Sequence, residues 1–188
     1  EQVQLQHSIN SYTRAILAKE FALATSAAVP DEAYICGLLC DIGLFSSEDN
    51  QTVGDAAENH AAFGAELLQS LGMNSMMCDA VRFHHHQLDQ IRTAFDLVRI
   101  VFTANALVHE NDLEQQDPED VYRELIGISR DQAMELLAKA REEVVRHPAQ
   151  LDLDVDSSLD KTIDVSGDLS RYLMEHLLTQ GLMPPGAP

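Results

Sequence analysis

The chain has 188 residues, 45 % of them apolar, which is enough for one core of ordinary size. Aspartate and glutamate number 31 against 12 lysines and arginines, a formal net charge of −19. The few basic residues form no run, so phosphate backbones and anionic membrane surfaces are repelled, and neither nucleic acid nor membrane is expected as a partner.

The first element is a helix over residues 5–23, uninterrupted by Pro or Gly, with Ile9, Tyr12, Ile16 and Phe21 along one apolar side. Pro30, followed by Asp31 and Glu32, starts a second helix over 31–41. Proline is tolerated in a first turn, and acids suit the positive end of the helix dipole. This helix carries Tyr34, Ile35, Leu38 and Leu39, and Gly43 stops or bends the chain after it. A third helix is expected over 56–71, with His60, Phe63, Gly64, Leu67 and Leu71 as its buried stripe and Gly72 as its end. Asn74 or Ser75 caps a fourth, whose inner face reads Met77, Val81, His84, His85 and Leu88. A fifth spans 91–108, with Leu97, Val98, Val101, Ala104 and Val108 inward. A further helix covers 129–146, where Ser129 and Gln132 have capping-box spacing. These elements predict an all-α bundle of five to seven helices within residues 1–146. Residues 147–188 read as an acidic linker, a short helix over 169–178 and a flexible tail rich in Pro and Gly.

No apolar run approaches the roughly 18 residues of a bilayer crossing, and no signal-peptide pattern is present. Three cysteines, an odd number in a chain able to fold without staples, point to a reducing compartment and a cytoplasmic location. Cys36 and Cys40 stand one helical turn apart and read as core, as buried thiols commonly do.

Histidine carries the chemistry. His7, His60 and the run His84-His85-His86 all precede residue 87, and Asp41 lies between the first two. Imidazole suits transition metals and carboxylate can bridge them, so Asp41 converging with His60, His84 and His85 would form a metal site. Adjacent helical residues point about 100° apart, so His84 and His85 can share one small site only if the helix end is distorted. The alternative is a core histidine at 60, satisfied by its neighbours, and His86 is expected to face solvent.

The order of these segments resembles the HD superfamily of helical metal-dependent phosphohydrolases. YICGLLCDIGLF, residues 34–45, is similar to its GLLHDIGK signature. NHAAFGAELLQSLGM, residues 59–73, is similar to H-A-x-x-G-x-x-L-L, and DAVRFHHHQ, residues 79–87, to A-I-x-x-H-H. VRIVFTANAL, residues 98–107, matches the late L-x-x-A-D-x-L helix, and His7 stands at the place of the first ligand histidine. A double histidine with no G-Y-P after it resembles the HD-related output domain branch, and residues 127–140 resemble a late helix of that branch. The resemblance implies an HD-domain-like helical bundle and two metal positions. One would draw on His7, residue 40, Asp41 and residue 105, the other on Asp41, His60, His84 and His85.

Three departures bear on function: Cys40 replaces the ligand histidine, Leu44 the lysine and Asn105 the final aspartate. A two-metal hydrolase must activate water and clamp developing phosphoryl charge, and half of that equipment is altered. The expectation is a non-enzymatic signalling or interaction domain with a protein partner or self-association. At most one divalent transition metal (zinc, manganese or iron) would be held, by Asp41, His60, His84, His85 and His7. The alternatives are a hydrolase acting on a nucleotide or cyclic nucleotide, and a small-ligand sensor using the same pocket.

Overall fold

In the computed structural model, residues 2–45, 56–109 and 118–146 are described, and every regular element among them is helical. The helices are α1 (Gln2–Thr25), α2 (Pro30–Leu39), α3 (Ala56–Ser70), α4 (Ser75–Arg82), α5 (Leu88–Ile91), α6 (Asp96–Val108), α7 (Pro118–Ile126) and α8 (Arg130–Arg146). A 3-10 turn, Ile42–Phe45, follows α2. The expected linker, short helix and tail after residue 146 lie outside the described residues. No helix among the described residues is long and apolar enough to cross a membrane.

The starts of these helices follow from local chemistry. Pro30 opens α2, with Asp31 and Glu32 in its first turn. Asn74 caps α4 by accepting from the Met77 amide at 3.0 Å. At the start of α8, the Gln132 amide donates to Ser129 Oγ at 3.3 Å. Helix α6 is apolar around nearly its whole circumference and, Arg99 apart, is buried from Leu97 to Val108, as such a helix must be. It packs against α1, α2, α4, α5 and α7, while α1 also lies against α2 and α8. The α8 residues Ala133, Leu137, Ala140 and Val144 form the stripe that faces inward.

The structure corrects the sequence reading in five places. The fourth helix, read through His84 and His85 to Leu88, stops at Arg82, and Leu88 opens α5 instead. Eight α-helices occupy the described residues, not five to seven. The expected helix over 91–108 is interrupted: α5 is a single turn ending at Ile91, and α6 starts afresh behind Phe95. The stripe of α3 is rotated, so that Ala61, Ala65 and Leu68 are buried whereas Phe63 is 45 % exposed. His86 does not face solvent freely; it is half-buried and stacks edge-on against Phe83 with ring centroids 4.7 Å apart.

Two glycines allow backbones to meet where the candidate site lies. A Cβ on Gly37 would stand 2.9 Å from both the Cα of Ala15 and the carbonyl oxygen of Arg14. Helices α1 and α2 therefore touch main chain to main chain at that point. A Cβ on Gly43 would land inside contact distance of the His60 carbonyl, on the segment that ties the end of α2 to α3. Gly43→Ala is expected to force these elements apart at a cost of about 1–3 kcal/mol. A urea unfolding midpoint indistinguishable from that of the unaltered chain would refute the close approach.

Candidate metal centre

Asp41 follows the end of α2, where the chain turns into the 3-10 segment and the Leu44 amide donates to the Asp41 carbonyl at 2.9 Å. His60 comes from α3, whose backbone Gly43 admits against this turn. Helix α4 ends at Arg82, and Phe83, with φ −102° and ψ 6°, leaves helical geometry. His84 and His85 thus lie in an irregular turn, which brings their ring centroids to 4.1 Å despite adjacent positions in the chain. That is the distortion a shared site requires. Asn105, on α6, fixes the turn by donating from Nδ2 to the His84 carbonyl at 3.1 Å.

Three donor atoms converge. Asp41 Oδ1 lies 3.4 Å from His60 Nε2 and 3.5 Å from His84 Nε2, and the two imidazole nitrogens are 3.4 Å apart. With His85 included, the ligand atoms of all four residues lie within 4.8 Å of one another. A tetrahedral ion with bonds of about 2.1 Å holds its ligand atoms about 3.4 Å apart, which is the spacing of this triangle. The triangle therefore fits zinc or an ion of similar radius. His84 Nδ1 is 2.5 Å from the Val81 carbonyl, so the ring proton sits on Nδ1 and the Nε2 lone pair points into the cluster.

Electrostatics agree with that arrangement. Burial, followed by interaction with His84 and His60, holds His85 down to about 3. Burial also lowers His84 below the ordinary histidine value. Both rings are neutral near pH 7 and can act as ligands. Burial alone would raise the Asp41 carboxyl, but the Arg14 charge and hydrogen bonds from His60 and Arg14 together hold it far below the usual carboxylate range.

Arg14, midway along α1, is the component that sequence reasoning missed. Its side chain is fully buried. Nε donates to the Gly37 carbonyl at 2.7 Å, NH2 to Asp41 Oδ2 at 2.8 Å and NH1 to Asn105 Oδ1 at 2.8 Å. NH1 also lies 3.5 Å from His109 Nε2, a second residue absent from the sequence reading. A signal for Arg14 did exist: it shares one helical face with Leu17, Ala18 and Phe21, a position where an arginine must find buried acceptors.

The other expected positions fall as follows. His7 is exposed on α1 and stands outside the four-residue cluster. Cys40 is fully buried, and its thiol donates to the Cys36 carbonyl at 3.1 Å. Burial, aided by the Asp41 charge and opposed by Arg14, pushes Cys40 up to about 12, so it is a thiol and not a thiolate. Asn105 is buried and has both amide atoms engaged, by Arg14 and by the His84 carbonyl.

These shifts fix a pH dependence for the metal-free protein. His85 has an unfolded value near 6.5 and a native value of about 3, so between those limits the unfolded chain takes up a proton that the native state refuses. Its contribution to stability is present above pH 6.5 and is lost as pH falls through that window. His84 acts in the same sense, and Asp41 extends the loss below about pH 4. Urea midpoints measured at pH 7, 5.5 and 4 should therefore fall in that order. Constant or rising midpoints would show that the rings are not held neutral.

Protein-family models, curated proteins and solved structures were each compared with the chain, and none matches. What stands, among the described residues, is an all-α helical bundle whose Asp41, His60, His84 and His85 form a cluster resembling an HD-type metal-binding motif, able to coordinate a divalent metal.

Proposed function

We propose that this chain is a signalling or scaffold domain on an HD-like frame, a cytoplasmic relative of the HD-related output domains. It works by binding a protein partner or a second copy of itself, not by turning over phosphate esters. The observation that carries this reading is the condition of Cys40. A ligand at this position would need a sulfur free to face a cation, whereas the fully buried thiol is turned back onto the Cys36 carbonyl of its own helix at 3.1 Å. Asn105, the other altered position, is neutral and has its amide committed to Arg14 and the His84 carbonyl. Partner binding draws support from the corner between α1 and α2, where Leu23 and Val29 are 53 % and 55 % exposed.

Asp41, His60, His84 and His85 fit one ion of zinc, manganese or iron, which when bound would supply Lewis acidity and join three segments of the chain. The chain's own residues prepare that position. Val81 sets the His84 tautomer, Asn105 holds the turn, and burial keeps His84 and His85 unprotonated. The surviving cluster is also the one observation that favours the alternative, a metal-dependent phosphohydrolase.

The two readings part in a turnover assay. The full chain, supplied with zinc, manganese or ferrous iron, is expected to hydrolyse p-nitrophenyl phosphate and bis-p-nitrophenyl phosphate no faster than the metal alone. Turnover well above that control, abolished by Asp41→Ala, would transfer the chain to the hydrolases.

A further inference from the structure

We propose that the Arg14 guanidinium takes the place of one cation of a two-cation site, so that the chain holds one built-in positive charge and accepts one divalent ion beside it. This rests on the reading of the cluster as one surviving half of a paired metal site.

The argument begins with the two oxygens of Asp41. Oδ1 faces His60 Nε2 and His84 Nε2, at 3.4 and 3.5 Å. Oδ2 faces the guanidinium, at 2.8 Å from NH2. One carboxylate thus bridges an imidazole pocket on one side and a fixed cation on the other, which is the arrangement a carboxylate adopts between two metal ions. The guanidinium also contacts the second residue of the altered half-site, with NH1 2.8 Å from Asn105 Oδ1. The space between residues 41 and 105, which by the resemblance would receive an ion, is therefore spanned by Arg14.

Chemistry explains why the substitution is internally consistent. Guanidinium is always charged, carries no acceptor and offers its donors in a planar fork, so it can satisfy a carboxylate and an amide oxygen at once. A divalent ion brought to the same space would meet a buried positive charge with nowhere to move, because Nε is tied to the Gly37 carbonyl at 2.7 Å. Asparagine at 105 belongs to the same pattern. A carboxylate there would give the single guanidinium two negative partners in a buried site, whereas the amide accepts from Arg14 and donates to the His84 carbonyl at 3.1 Å.

The test counts ions. Metal-free full chain is titrated with zinc chloride by calorimetry and with cobalt(II) by visible absorption, followed by elemental analysis after gel filtration. The unaltered protein is expected to take up one ion per chain; two ions, or none, overturn the proposal. The Arg14→Ala, Asn105→Asp double variant, refolded with zinc present, is expected to take up two. One ion in a folded double variant, as judged by circular dichroism, also overturns it. Should the double variant fail to fold, Asn105→Asp alone decides, since Arg14 remains and uptake must stay at one. Two ions in that single variant would show that Arg14 excludes nothing. Failure here is separable from failure of the functional reading: two ions without turnover remove only the role of Arg14, and turnover with one ion removes only the non-enzymatic assignment.

Discussion

The buried ion pair between Arg14 and Asp41 organises this molecule. A guanidinium with no exposed surface must be surrounded by acceptors, and α1, α2 and α6 each contribute to that surround. Ion pairs of this kind add little to stability over an apolar replacement of equal volume, but removing one partner alone costs about 3–5 kcal/mol, because the other is left buried and uncompensated. The pair therefore acts less as a source of stability than as a constraint on geometry. Given Arg14, the carbonyl of Gly37, the carboxylate of Asp41 and the amide of Asn105 each have one permitted position.

The apolar core and the polar cluster share their supports. Gly37 lets α1 and α2 meet closely enough for Arg14 Nε to reach a main-chain oxygen. Gly43 lets the turn after Asp41 press against α3, so that His60 faces the carboxylate. Asn105 joins the two halves of the site, with one end of its amide on the guanidinium and the other on the turn that carries His84. Substitution at any of these positions would move both packing and site, and neither can be tuned without the other.

Much of this was legible in the sequence. Periodicity located α1, α2, α3, α4 and α8, and histidine spacing selected the residues that converge. The misses have identifiable physical causes. Helix α7 is hidden within an acidic segment, although Pro118-Glu119-Asp120 repeats the chemistry with which Pro30-Asp31-Glu32 opens α2. The apolar series after Ile91 appears continuous, so the break before Phe95 is hidden by residues that suit both a turn and a helix. Arg14 is not legible because one arginine on a helix is ordinarily solvated, and only its acceptors, some of them distant in sequence, reveal the burial. Periodicity places Phe63 in the inward stripe of α3, yet the small residues Ala61 and Ala65 face the core, where α3 has to lie close to its neighbours.

Arg14 and Asn105 are 91 positions apart along the chain and still share a hydrogen bond at 2.8 Å. Apolar surfaces reward partial association, since each contact removes some area from water whatever else has formed. A guanidinium sealed among α1, α2 and α6 behaves oppositely, because burying it before its last acceptor arrives is unfavourable. A nascent chain in which α1 and α2 have emerged and α6 has not is thus discouraged from closing early. A fragment ending before residue 105 would retain the charge and lack its amide acceptor, so sealing of the guanidinium between α1 and α2 has reason to wait for α6.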